Sequence, residues 1–268
     1  MIIDGRVLAQ TVLERSRSRA SVLAHPPRIV AIVASNTPAT TSYLAIKTKR
    51  AAHAGCVLEV MRFPESVTTE ELVSAVRESD ADALLVQLPL PAQVDATTVC
   101  DAIPPEKDAD VLSTAARATG TLLPPVVGAV SEIFKTYAVD PKGKRAVVIG
   151  AGFLVGAPVA AWLTAQGAAV TVVTSATGDL AAARRAADII VSGAGSPRLI
   201  KPDMLKEGVI LIDAGTSESG GAIVGDADPA CAERCSLFTP VPGGLGPLAV
   251  AKLFENAVIL AEKAIFVH

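Results

Sequence analysis

The 268-residue chain is short of the residues that usually announce a function. It has two tyrosines, one tryptophan, three histidines (His25, His53 and His268) and four cysteines. Half the residues are hydrophobic, yet no apolar run approaches the roughly 18–20 residues of a membrane helix. There is no basic block, and the formal net charge is −3, which argues against a nucleic-acid partner. The opening Met1-Ile2-Ile3-Asp4-Gly5-Arg6 breaks polarity at once and lacks a signal-peptide layout. A soluble, cytoplasmic protein that engages neither membrane nor nucleic acid is the expectation.

In a chain of this length and compartment, Cys56, Cys100, Cys231 and Cys235 do not make a disulfide framework. Cys231 and Cys235 are four apart rather than C-x-x-C, with no histidine near, so no metal site is expected. The scattered histidines suggest no Ser-His-Asp or Cys-His arrangement, although such partners can meet only in space.

What is present centres on Arg145–Pro158, RAVVIGAGFLVGAP. Ala146–Ile149 suits a strand buried on both faces. Gly150, Gly152 and Gly156 follow as G-x-G-x-x-x-G, ahead of an apolar helical pattern that runs through Leu163. Such a turn lets backbone approach a ligand and aims helix N–H groups at a phosphate. The spacing departs from G-x-G-x-x-G, and an ordinary strand-to-helix turn is the alternative.

Before this stretch, helical spacing over Arg6–Leu23 ends at Pro26-Pro27, and Arg28–Ala34 reads as a buried strand. Helices at Thr40–Ala54 and Thr69–Ser79 alternate with strands at Val57–Phe63 and Ala83–Leu88, which indicates parallel βαβ units. Pro104-Pro105 and Pro124-Pro125 bracket a poorly periodic stretch, read as the crossing between domains. A helix is expected at Val126–Tyr137. Strands follow at Ala169–Val173, Ile189–Ser192 and Val209–Asp213, with a helix near Leu180–Ala187 and a long final helix at Pro247–Ile265. The fold class is α/β: two α/β domains with a cleft between them, the second Rossmann-like. Residues 1–121, completed by a C-terminal helix at 247–268, form the first domain, and residues 122–246 the second.

Ligands of open α/β sheets bind beyond the carboxyl ends of strands. Those ends deliver Gln87 with Leu88-Pro89-Leu90-Pro91, then Gly150–Gly156, Thr174-Ser175, Gly193-Ala194-Gly195 and Asp213-Ala214-Gly215. Pro240–Pro247, with two prolines and three glycines before the last of these residues, looks shaped for a flat ligand. Tyr43 and Lys47 share a helix face; a solvated amphipathic face is the alternative. Lys107-Asp108-Ala109-Asp110 is either a functional acid pair or a solvated turn.

Taken together, Tyr43-x-x-x-Lys47, Val86–Pro91, Pro105-x-Lys107-Asp108-x-Asp110, Gly150-x-Gly152-x-x-Val155-Gly156-x-Pro158 and Pro240–Pro247 resemble the bifunctional methylenetetrahydrofolate dehydrogenase/methenyltetrahydrofolate cyclohydrolase family. The resemblance runs from Ile3-Asp4-Gly5 to the last helix. It implies oxidation of 5,10-methylenetetrahydrofolate with NADP or NAD, then hydrolysis of the methenyl product to 10-formyltetrahydrofolate. It also implies a homodimer through the cofactor domain. Tyr43 would stack on the folate, Lys47 would be the acid/base, and Gln87 and Asp110 would hydrogen-bond Lys47 and the pterin. Leu88, Pro89, Pro242, Gly243 and Gly244 complete the expected substrate site. The expected cofactor site is Gly150, Ala151, Gly152, Val155, Gly156, Thr174, Ser175, Gly193, Gly195 and Gly215. A lysine near pKa 10.4 must fall by roughly 3–4 units to act near neutrality, which a closed apolar site can supply.

Departures from the family pattern cluster around the pockets. Ala151-Gly152 stand in place of Arg-Ser, Thr174-Ser175 in place of His-Ser, and Leu123–Val126 in place of Pro-Cys-Thr-Pro. Val111 replaces a glycine and Ala249 a threonine. The arginine would hold the 2′-phosphate of NADP, so NADP is the expected cofactor with NAD open. A cyclohydrolase with weak or lost dehydrogenase activity, and a non-catalytic ligand-binding paralogue, are the competing readings.

Overall fold

The run Ile29-Val30-Ala31-Ile32-Val33 has no polar side, and the strand it forms is buried on both faces. This strand, β1 (Arg28–Val33), is the centre of a parallel three-stranded sheet between β2 (Val57–Arg62) and β3 (Ala83–Val86), with Ile29 opposite both Leu58 and Ala83. In this computed structural model, which describes residues 1–35, 37–175, 185–219 and 222–265, the chain forms two units. The first comprises Gln10–Pro125 with Val250–His268, and the second Met1–Ala9 with Val126–Ala249.

In the first unit, helix α1 (Gly5–Ala20), whose opening residues belong to the second unit, precedes β1. Helix α2 (Pro38–His53) starts where Thr37 Oγ1 accepts from Thr40 N at 3.1 Å, with proline in its first turn. Helix α3 (Thr69–Glu78) has a capping box, Thr68 with Glu71. Leu72 and Val76 of α3 pack with Ile32, Leu84 and Ile103 in the core. The stretch after Pro104, read from sequence as a crossing between domains, belongs to this unit instead. Leu84 N donates to Lys107 O at 2.7 Å, extending the sheet by one bridge to Asp108, and Leu112 joins the core. Two six-residue helices, α4 (Ala96–Asp101) and α5 (Thr114–Thr119), flank it. They are too short for periodicity to reveal; side-chain caps at Asp95 and Ser113 and the left-handed Gly120 delimit them. The closing helix, α8 (Leu245–Ile265), begins two residues before the expected start, and within this unit its Glu255 and Glu262 accept from Arg15 Nε at 2.7 Å and Arg19 Nε at 2.8 Å.

The second unit contains α6 (Pro125–Thr136) from Val126 onward, β4 (Arg145–Ile149), α7 (Gly156–Ala165), β5 (Ala169–Val173), β6 (Ile189–Ser192) and β7 (Val209–Asp213). A small hairpin of β8 (Ser217–Ser219) and β9 (Ala222–Val224) follows, then β10 (Cys235–Thr239). The parallel sheet runs β10-β7-β6-β4-β5. After β5 the chain crosses to the other side of β4, so the carboxyl ends of β4 and β6 lie at a topological switch point. Strand β10 was not expected: a five-residue run with serine second and threonine last carries little apolar signal. Its place is earned by pairing, since Ile3 N donates to Phe238 O at 2.8 Å and Phe238 N to Met1 O at 2.9 Å. Those bonds hold the first residues in this unit. The helix expected near Leu180–Ala187 lies mostly outside the described residues. Among the described residues, no helix is long and apolar enough to cross a membrane.

Candidate active site

Lys47 sits on the inner face of α2 with only 8% of its surface exposed. Its Nζ donates to Gln87 Oε1 at 2.9 Å, and Gln87 Nε2 donates to Leu88 O at 2.8 Å. Gln87 is fixed by its own backbone, because its N–H donates to Ile32 O at 2.9 Å and so prolongs β3 beside β1. The Leu88–Pro89 peptide that follows is cis. Burial lowers the Lys47 pKa, and Asp110 pulls it back up. Tyr43, one helical turn earlier, is 38% exposed, so its ring is available to a ligand.

Asp108 and Asp110 flank one alanine and have different surroundings. Asp108 is fully buried and accepts from Leu112 N at 3.1 Å and Ser113 N at 2.7 Å. A solvated turn at Lys107–Asp110 is therefore excluded: Asp108 is an internal staple of its own loop. Asp110 is half-buried; desolvation raises its pKa, and Lys47 is the strongest influence lowering it. Lys47, Gln87 and Asp110, separated by forty and twenty-three positions, are thus electrostatic neighbours. Next to Asp110, Val111 has φ 55°, a left-handed conformation uncommon for a β-branched residue.

In the second unit the glycine loop turns on close backbone contacts. Gly150 has φ 93°, and its N–H donates to Val173 O at 2.8 Å. A Cβ on Gly156 would lie 1.9 Å from Gly150 O, so no larger residue fits without moving backbone. Val155 fills the space over Gly193, where a Cβ would meet its Cγ1 at 2.5 Å. Gly150, Val155, Gly156 and Gly193 therefore build the turn, while Ala151, Gly152 and Gly195 are exposed on it. Val155, ahead of α7, makes no side-chain cap, which leaves the helix N-terminus to a ligand. A Cβ on Gly152 or Gly195 would meet nothing, and these open backbone positions fit the pyrophosphate of a dinucleotide. Thr174 is half-buried and Ser175 exposed at the end of β5.

Below this turn lies a buried pair that the sequence did not announce. Asp226 accepts from Ser192 Oγ and Ala194 N, both at 2.7 Å, and from Ser196 N at 2.8 Å, fixing the loop that carries Gly193 and Gly195. Asp213 accepts from Gly215 N at 2.9 Å, Asp226 N at 3.1 Å and Ala227 N at 2.8 Å. Burial, with Asp226 beside it, pushes Asp213 up to about 6. Gly215 is buried here against Asp226. Asp213 entered the sequence reading only as the end of its strand, and Asp226 not at all. Farther on, Gly5 N donates to Gly243 O at 2.9 Å, and a Cβ on Gly5 would lie 1.7 Å from Gly244 O. The Pro242–Gly244 loop, with cis Val241–Pro242, is thereby tied to the chain's first residues.

Residues 3–110 match the model of the tetrahydrofolate dehydrogenase/cyclohydrolase catalytic domain, and residues 124–265 match that family's NAD(P)-binding domain. The chain belongs to the tetrahydrofolate dehydrogenase/cyclohydrolase family. The "Bifunctional protein FolD" of Aliarcobacter butzleri is 37% identical over 96% of this chain and 95% of its own. Among solved structures, the bifunctional enzyme FolD from Campylobacter jejuni superposes with a TM-score of 0.95 at 33% identity, covering 98% of this chain and 99% of its own. That of Trypanosoma brucei, complexed with NADP cofactor and inhibitor, has a TM-score of 0.93 at 33% identity, covering 99% of this chain and 98% of its own. A tetrahydrofolate dehydrogenase/cyclohydrolase chain thus has a nicotinamide-cofactor domain, and here its glycine loop carries Ala151, Phe153 and Leu154 on an exposed tip. The four cysteines are buried free thiols, with pKa values pushed by burial to about 12 (Cys56, Cys100, Cys235) or about 11 (Cys231).

Proposed function

We propose that this chain oxidises 5,10-methylenetetrahydrofolate with a nicotinamide dinucleotide and hydrolyses the resulting methenyl compound to 10-formyltetrahydrofolate, with Lys47 as its acid/base. The observation that carries the reading is a buried lysine amine bonded to Gln87, in a chain that matches both family domains nearly end to end. Neither a cyclohydrolase without dehydrogenase activity nor a non-catalytic paralogue is favoured.

Tyr43 stacks on the ligand's ring system, Gln87 and Asp110 meet its polar edge, and Leu88 and Pro89 are further contacts. In the hydrolytic step Lys47, in its neutral form, takes a proton from the water that adds to the methenyl carbon. It then returns that proton to the ring nitrogen as the carbon–nitrogen bond opens, while the hydroxyl proton leaves to solvent as the formyl carbonyl forms. Desolvation favours this neutral form, and Asp110 limits the drop so that the amine can be reprotonated. A bound nicotinamide dinucleotide would supply the hydride acceptor for the oxidation, for which this chain provides alignment and no acid.

Gly150, Ala151, Gly152, Val155, Gly156, Thr174, Ser175, Gly193, Gly195 and Gly215 hold the cofactor. NADP binds, but with little preference over NAD, because Ala151 offers a methyl group where the family presents a guanidinium. The chain pairs as a homodimer through this domain, a reading supported by β5, an edge strand with Val172 exposed. Light scattering at micromolar concentration gives twice 27.4 kDa if so, and 27.4 kDa if not. The activity itself is tested spectrophotometrically, by following methylenetetrahydrofolate oxidation with NADP and NAD side by side. No reduced cofactor from either one overturns the reading.

A further inference from the structure

We propose that Asn256 of α8 is a positioning residue for the reaction, holding the backbone at Asp110 so that its carboxylate acts on Lys47. The inference rests on the reading of Lys47 as acid/base. Asn256 is 5% exposed on a helix whose neighbouring Phe254, Ala257 and Val258 are fully buried. A polar amide in such surroundings is costly unless bonded. Both its bonds go to carbonyls: Nδ2 donates to Ala109 O and to Leu123 O, each at 2.9 Å. Ala109 is the residue immediately before Asp110.

The segment on the other side of Asp110 is tethered too. Arg117 Nε donates to Val111 O at 3.0 Å, and the Asp108 carboxylate holds Leu112 N and Ser113 N. Between the two clamped carbonyls stands Asp110 alone. Val111 keeps its left-handed φ of 55°, a conformation that persists only where surrounding contacts over-determine it. These tethers end on backbone, so what they fix is the height and direction from which the Asp110 side chain leaves the chain.

The charges facing Lys47 and Asp110 define a readout. Lys47 faces Asp110, with neutral Gln87 as its hydrogen-bond partner. Asp110 faces Lys47, Asp108 and Arg117; Arg117 in turn feels Asp101, Asp108, Asp110 and Cys100. A carboxylate beside Lys47 raises its pKa, so moving that carboxylate away lowers it and shifts the corresponding limb of the pH–rate profile to lower pH.

The experiment compares cyclohydrolase pH–rate profiles of the full chain, Asp110→Asn, Asn256→Ala and the double variant. Asp110→Asn is expected to move the Lys47 limb to lower pH. Asn256→Ala is expected to move it the same way by less, to lower kcat about 10-fold with KM unchanged, and to add no further shift on the Asp110→Asn background. Dinucleotide dissociation constants stay at the parent value. A limb that stays in place in Asn256→Ala while Asp110→Asn moves it overturns the positioning role alone, as does an additional shift in the double variant. A limb indifferent to Asp110→Asn overturns the Lys47–Asp110 reading and this inference with it. If Asn256→Ala does not fold, Asn256→Ser, whose hydroxyl can still donate to one carbonyl, carries the same comparison.

Discussion

The two units solve their tasks with different parts of the chain. In the first, the proposed working groups are side chains held by other groups: Lys47 by Gln87, Asp110 by a segment tied down at Ala109 and Val111. In the second they are mostly backbone: the turn at Gly150–Gly156, the helix start behind it, and a loop whose amides are fixed by Asp226. A side-chain site fails when one residue changes. A backbone site has room at its exposed tip, where a Cβ on Gly152 meets nothing within 4 Å, and fails where atoms touch underneath.

The sharpest test of the contrast is Lys47→Met. It should cost about 10²–10⁴-fold in cyclohydrolase rate, the usual worth of a positioned acid/base, with dinucleotide affinity unchanged. Hydrolysis within about threefold of the parent would be too small an effect for general acid–base catalysis and would assign Lys47 the wrong role. Next in size is a pair within the glycine loop. Gly156→Ala puts a methyl 1.9 Å from Gly150 O and should lower the urea-unfolding free energy by about 3 kcal/mol. Gly152→Ala meets nothing within 4 Å and should leave stability nearly unchanged. Equal losses in the two variants would break the distinction between tip and base.

Asp213 tests whether the buried acid below that loop carries the strain of its position. With its pKa raised to about 6, the folded state holds a proton that the unfolded chain releases near 4. The stability it contributes is complete below about pH 4 and is lost as pH rises through 6, by up to about 3 kcal/mol. Asp188, depressed to about 2, acts below that window. Denaturant unfolding at pH 4 and pH 7.5 should show this loss in the parent and not in Asp213→Asn, beyond a pH-independent offset. An identical slope in both proteins would contradict it.

The smallest effect lies at the tip. Ala151→Arg should raise NADP preference by about 10-fold or more through a charge-assisted bond to the 2′-phosphate, and leave NAD binding almost unaltered. Measured ratios of the two dissociation constants decide it. A parent that already prefers NADP about 100-fold, or a variant whose ratio does not move, means that another cation meets the phosphate.

The sequence by itself determined the alternation of elements, because buried strands such as Arg28–Val33 and Val209–Asp213 are written as contiguous apolar runs. It also determined the glycine turn and the Tyr43–Lys47 face, whose geometry is local, and the order of motifs that identifies the family. Short-range pattern could not reveal what depends on chain closure. Cys235–Thr239 is a strand because its pairing with Val209–Ile212 and its backbone bonds to Met1 and Ile3 make it one. Asp108 and Asp110 are alike on paper, and only packing made the first a staple and left the second facing Lys47. Asp226 and Asn256 were silent for the same reason. A buried polar side chain takes its meaning from the distant donor or acceptor that reaches it, and that partner is chosen when the tertiary structure forms.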